Sequence, residues 1–189
     1  TGALILFGSV QMTMIAASIV KGERPGVWEL CGVVVAFGGL VYLMLPGLAS
    51  PPILSSMLMA AAGAAWGFYS LRGRGSADPL GETAGNFIRA VPMIAVAAIP
   101  FIGGVHLSFR GAVLAVVSGS LASGVGYSVW YAALKYHTAT RAAVLQLAVP
   151  VITAVGGVLL LAEVLEVRLF VASVMILGGI MIVLYAKGR

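Results

Sequence analysis

Seven polar or aromatic side chains stand inside, or at the rims of, long apolar runs: Gln11, Trp66, Asn86, Arg89, Tyr127, Trp130 and Gln146. A polar atom in such surroundings is costly unless it finds a partner. Arg89 is the most expensive, because a charge at the centre of a lipid-facing helix costs roughly 2.5–3.5 kcal/mol, less towards the interface. Two readings of it stand. The guanidinium either snorkels back to the headgroups or offers a cationic contact for a carboxylate or phosphate. Asn86, about one turn earlier, shares its helix face. Gln146 precedes Pro150 by four residues, and Pro92 follows Ile88 by four. A helical proline leaves the carbonyl four residues back without its donor. Gln146 would then combine a carboxamide with a loosened carbonyl, either at a kink satisfied by a neighbouring helix or at a ligand contact or hinge. Gln11 and Thr13 lie near the middle of the first run, as interhelical glue or, for Gln11, as a substrate contact. Trp66, Tyr69, Trp130 and Tyr131 fit either an interfacial aromatic belt or, with Trp66 and Trp130 as contacts, a ligand site beside Arg89. Tyr127 is deeper, and its hydroxyl favours a cavity or interhelical role.

Bond-making chemistry finds little footing. His106 and His137 fall in loops on opposite sides of the apolar runs and cannot share a metal. The sequence contains no Ser-His-Asp or paired-carboxylate arrangement and no Gly-rich phosphate loop of the GKS/T type. Glu23 and Glu163 stand at helix ends, where they anchor turns or favour the N-terminus of the next helix. Cys31, the single cysteine, reads as a small packing residue. The expectation is binding without catalytic residues, metal or cofactor.

The elements that hold these residues are set by composition. The 189 residues are 61% hydrophobic and 9% charged, with a mean hydropathy of +1.09. A soluble domain carries about 25% charged residues. The net charge of +5 does not indicate nucleic acid, since the basic residues sit singly between apolar runs. Gly111–Leu134 gives 24 consecutive uncharged residues and Ala142–Ala162 another 21. Each is long enough to cross about 30 Å of hydrocarbon at 1.5 Å per residue. Further spans are expected over Thr1–Val20, Val27–Pro46, Ile53–Leu71, Asn86–Gly104 and Leu169–Ala186. The segment RGRGSADPLGETAG, residues 72–85, reads as a polar loop. Together these give an all-α, polytopic helical bundle in the lipid bilayer.

Alternate crossing assigns each loop a side. Lys21, Arg24, Arg72, Arg74, Arg89, Lys135, Arg141, Lys187 and Arg189 share one side, against Arg110 and Arg168 on the other. Short loops rich in Lys and Arg stay in the cytoplasm, so a cytoplasmic C-terminus is expected. A shift of 140 residues lays Thr1–Ala49 over Arg141–Arg189 and matches Ala3 with Ala143, Thr13 with Thr153 and Glu23 with Glu163. It also matches Val27 with Val167, Val34 with Val174, and Gly38-Gly39 with Gly178-Gly179. The paired spans lie an odd number of crossings apart, and the turn after the first copy is basic while that after the second is acidic. An inverted-topology repeat would leave this pattern. Small-residue pairs at Gly32/Ala36, Gly119/Ser123 and Ser120/Gly124 suit close packing within the chain or across a homodimer.

The residues Gly22-Glu23-Arg24, Trp66-Gly67, Arg89, Gly126-Tyr127, Trp130-Tyr131, Pro150 and Glu163 give the chain a family resemblance. It resembles the EamA-type transporters of the drug/metabolite transporter superfamily. That resemblance implies ten helices in two inverted five-helix repeats. Residues 1–49 would be the last two helices of the first repeat, and residues 50–189 the complete second repeat. Seven spans of the expected ten are visible, and the missing helices are expected upstream of Thr1. The resemblance further implies an inner-membrane exporter or importer of small metabolites or drugs, working by alternating access. The rival expectation is a membrane scaffold or sensor that uses the same helices without turnover.

Overall fold

The computed structural model describes residues 2–23, 25–45, 51–162, 164 and 166–186. Nine α-helices lie among them: α1 Gly2–Val20, α2 Val27–Met44, α3 Ile53–Arg74, α4 Pro79–Ala98, α5 Phe109–Val117, α6 Gly126–Leu134, α7 Ala139–Leu145, α8 Ala148–Leu161 and α9 Val167–Tyr185. A 3-10 segment, Ile99–Gly104, prolongs α4, and a π-helical segment, Ser118–Val125, joins α5 to α6. These pieces form seven stretches long and apolar enough to cross a membrane. Where no water reaches the backbone, a helix satisfies its polar groups internally, which is why apolar sequence of this length becomes helix. The chain is a multi-pass membrane protein.

The segment expected to be a 14-residue polar loop is mostly helical. α3 continues through Arg74, and α4 begins at Pro79. Asp78 is the reason for the early start. Its carboxylate accepts the Gly81 N–H at 2.9 Å, with Pro79 in the first turn where a missing N–H costs nothing. The fourth span therefore starts seven residues before Asn86, and Glu82 lies in its first turn.

The described chain divides into two compact units, Thr1–Leu71 with His137–Arg189, and Arg72–Tyr136. Glycine contacts fix the helix directions in the first unit. Along α3, Gly63 lies against the Leu6 carbonyl and Ser9, and Gly67, one turn later, against Thr13, so α1 and α3 run parallel. α2 and α9 run antiparallel: a Cβ on Gly32 would lie 2.6 Å from the Gly179 carbonyl, and one on Gly39 3.0 Å from the Ile176 nitrogen. Only glycine permits that approach, and the small-residue pair Gly32/Ala36 serves this contact. One glycine of each expected pair makes the contact. Gly178 meets nothing within 4 Å, and Gly38 only the tip of Met175 at 3.8 Å. The core of this unit gathers Phe7, Leu40, Val144, Leu147, Ile176 and Val183. Cys31 lies on the exposed face of α2 rather than in this packing.

Gly22, with φ +83°, closes α1. Its N–H bonds the Ile19 carbonyl and the Glu23 N–H bonds the Ser18 carbonyl, the paired pattern that a left-handed residue makes at a helix end. Ala162 ends α8 with φ +54°. Gly22 and Ala162 are the positive-φ residues among those described, and the 140-residue shift superposes them.

In the second unit the fifth span is not a regular α-helix. Its centre, SGSLASGV, is π-helical, with Ser120 Oγ bonded back to the Val116 carbonyl at 2.6 Å. Gly119 meets nothing within 4 Å, and of the small residues expected to pack this span Ser120 and Gly124 are exposed and Ser123 is half-buried.

Candidate functional site

α1 and α7 meet along a polar seam in the first unit. Ser18 Oγ and Thr140 Oγ1 share a hydrogen bond of 3.2 Å. Below them the Glu23 carboxylate accepts the Ala139 N–H at 3.2 Å. These pairs fix an antiparallel register that brings Gln11, the middle residue of α1, level with Gln146 and Leu147.

At that level the sixth span is broken. α7 ends at Leu145 and α8 begins at Ala148. The Gln146 and Leu147 N–H groups reach only three residues back, to the Ala143 and Val144 carbonyls. The expected loose carbonyl at Gln146 is not free: the Val149 N–H bonds it at 3.1 Å. Because the break precedes it, Pro150 falls in the first turn of α8, where its missing N–H leaves no helical bond unmade. The side chain of Gln11 enters the break and donates from Nε2 to the Ala143 carbonyl at 2.6 Å. Gln146 crosses the other way and donates from Nε2 to Met14 Sδ at 3.2 Å. Both glutamines are 4% exposed. Their amide orientations follow from chemistry, since a carbonyl and a thioether accept but cannot donate. Both Oε1 atoms are then buried with no hydrogen-bond partner among the described residues.

Charge gathers at the ends of these helices. Arg141 Nε meets Glu29 Oε1 at 3.2 Å and its Nη2 donates to the Ala186 carbonyl at 2.7 Å. The other Glu29 oxygen accepts the Gly26 N–H at 3.1 Å. One guanidinium thus ties the start of α2 and the end of α9 to α7. Glu23 favours a helix N-terminus as expected, but that of α7 rather than of the next helix. Glu163 lies outside the described residues.

The remaining candidates are distributed between the units. Trp66, half-buried, packs against Phe7 with ring centroids 5.8 Å apart in the first. In the second, Tyr127 lies between Phe87 (5.8 Å) and Tyr131 (5.9 Å, stacked). Tyr131 is buried against Gly73, so it is a packing residue rather than a belt residue. Trp130 is half-buried on α6, and Asn86, Arg89 and Pro92 are exposed on α4. Arg89 lies back along its own helix, with Nη1 3.3 Å from where a Gly85 Cβ would stand.

A family model for EamA-like transporters matches residues 53–185. The chain belongs to the EamA-like transporter family. A Pseudomonas aeruginosa protein described as uncharacterized is 48% identical over 97% of this chain and 64% of its own length. An Archaeoglobus fulgidus protein named as an uncharacterized transporter is 29% identical over 90% of this chain and 62% of its own. The EamA-like chain therefore spans a little under two thirds of these relatives. A protein solved by crystallography, 23% identical, shares its fold with a TM-score of 0.82 over 100% of this chain and 67% of its own.

Sequence reasoning found Gln11 and Gln146 in this EamA-like chain but not their pairing. It missed Ser18, Glu29, Thr140 and Arg141 as seam residues. Glu29 carried a signal, an acid three residues after Gly26 at a helix start. Arg141 carried none beyond its charge.

Proposed function

We propose that the chain is part of a secondary transporter of small metabolites or drugs that works by alternating access. The observation that carries this reading is the broken sixth span, with two buried carboxamides crossing at the level of its break. Discontinuous helices near the bilayer midplane are where transporters of inverted-repeat architecture bind substrate. Gln11 lies nine residues from either end of α1, about 13 Å at 1.5 Å per residue, which suits midplane depth.

Three features support the inverted repeat itself, with residues 1–49 as the end of one copy and 50–189 as the other. α1 and α7 are antiparallel, as are α2 and α9. The Gly39–Ile176 approach and the Gly179–Ala36 approach exchange under the 140-residue shift. Gly22 and Ala162 share the left-handed conformation at the ends of equivalent helices. The basic loops argue for a cytoplasmic C-terminus. In this reading the chain binds and releases its substrate without chemical change, so it is not an enzyme. Gln11 and Gln146 contact that substrate, and Arg89 serves the cytoplasmic headgroups.

Counterflow in proteoliposomes tests the reading. Full-length protein, loaded inside with an unlabelled metabolite extract, should accumulate at least one labelled pool component above protein-free vesicles. No counterflow with any pool would instead favour a non-transporting scaffold or sensor.

A further inference from the structure

The two unpartnered carboxamide oxygens at the break indicate what kind of group binds there. Gln11 Oε1 and Gln146 Oε1 are both acceptors, both buried, and held at one level by the crossing of their amides on Ala143 and Met14. A buried acceptor left unmade costs the protein its full desolvation penalty. Among the described residues neither glutamine oxygen finds a donor, and a bound molecule with polar hydrogens would supply one.

The surroundings select among donors. The Glu29–Arg141 pair and Glu23 lie at the helix ends, whereas α1, α7 beyond Arg141, and α8 carry no charged residue. A cation seated between neutral oxygens at that depth would lose its hydration without a counter-charge, and that loss is the dominant cost of burying an ion. An uncharged group with two polar hydrogens meets both oxygens without that cost.

We infer that Gln11 and Gln146 form a binding site for an uncharged amino group, of the kind carried by a primary carboxamide. The inference deepens the transport reading and rests on it, because the group belongs to the substrate. Each amide nitrogen anchors its glutamine to the protein, and each oxygen faces the ligand. The two oxygens therefore select a group that can donate to them.

Acetamide is the probe, and thermal unfolding of the full-length protein in detergent is the readout. Acetamide should raise the Tm saturably, whereas N,N-dimethylacetamide, which lacks N–H, and methylammonium, which is charged, should not. Gln146→Met removes one unpartnered oxygen and only a weak bond to sulfur. Without ligand this variant should melt at or above the wild type, and its half-saturating acetamide concentration should rise at least tenfold. Gln11→Met should lose the response as well, with a lower Tm because the Ala143 carbonyl loses the shorter of its two hydrogen bonds and keeps only that from the Gln146 N–H. A response to methylammonium in place of acetamide overturns the neutral assignment. No saturable response, as when water alone fills the site, overturns the inference. So does an unliganded Gln146→Met protein that melts well below wild type, since its oxygen would then have had a partner. Counterflow without an acetamide response leaves transport standing and removes the site, while the reverse result removes transport and leaves the site.

Discussion

The contact between α2 and α9 makes a sharp prediction, because neighbouring glycines on one helix should respond in opposite ways. A Cβ on Gly179 would lie 2.5 Å from the Ala36 nitrogen, 2.6 Å from the Gly32 carbonyl oxygen and 2.8 Å from the Ala36 Cβ. Two of these atoms are backbone, so no rotamer change relieves the clash. To reach an ordinary 3.4 Å contact the helices must separate by about 0.9 Å, the difference between 3.4 and 2.5 Å. A gap of that size forfeits a quarter to a half of the dispersion well for atoms facing each other across it. Overpacking of this kind costs about 1–3 kcal/mol. Gly178→Ala places its methyl in open space. Both substitutions gain the same backbone-entropy term, about 0.5–1 kcal/mol for replacing a mid-helix glycine. Their difference therefore isolates the steric cost, with Gly179→Ala less stable than Gly178→Ala by about 1–3 kcal/mol. Reversible unfolding in SDS–detergent mixtures measures both. Equal stabilities, or a greater loss at Gly178, would refute the packing register. Gly39→Ala against Gly38→Ala repeats the test from the other helix, with the loss expected at Gly39.

Other outcomes follow from the same geometry. Gly22→Ala forces a side chain into the left-handed turn after α1 and should cost about 1–2 kcal/mol, read as a lower Tm, with Glu23 displaced from the α7 N-terminus. Arg141→Ala leaves the Glu29 carboxylate, 6% exposed, without its cation. The loss should approach, without reaching, the ~3–5 kcal/mol of a fully buried pair, because the Arg141 side chain is 23% exposed. Glu29→Gln should be milder in the same melt, since an amide oxygen can still accept from Gly26 or Arg141. Arg89→Ala should insert normally and keep counterflow activity within about threefold, as expected of a snorkelling side chain. A loss beyond tenfold with normal insertion would return Arg89 to the substrate contacts.

Much of this architecture was legible residue by residue. Each uncharged run became helical, the fifth and sixth in pieces, because hydrocarbon leaves the backbone no other partner, and no tertiary contact was needed to decide it. The turn at Gly22 was readable too, from a glycine two residues after the end of the first apolar run. The helix start at Asp78-Pro79 was equally plain in the residue types, yet the hydrophilicity of residues 72–85 obscured it. Polar residues on the first turn of a membrane helix sit in the headgroup layer and do not shorten the helix.

The phases of the helices were not legible. A helix apolar all round carries no stripe to say which side meets a neighbour, so Gly178 and Gly179 look alike in the sequence and differ only in the fold. The same holds for the seam. Gln11 and Ala143 are 132 positions apart, and Arg141 and Glu29 are 112 apart. Their meeting depends on the rotation of three helices, α1, α2 and α7, about their axes. The sequence by itself determined how many times the chain crosses the bilayer and where polar atoms would be costly. The tertiary structure alone decided which of those atoms meet, because in lipid the helix rotations follow from close packing between particular small residues rather than from a hydrophobic face.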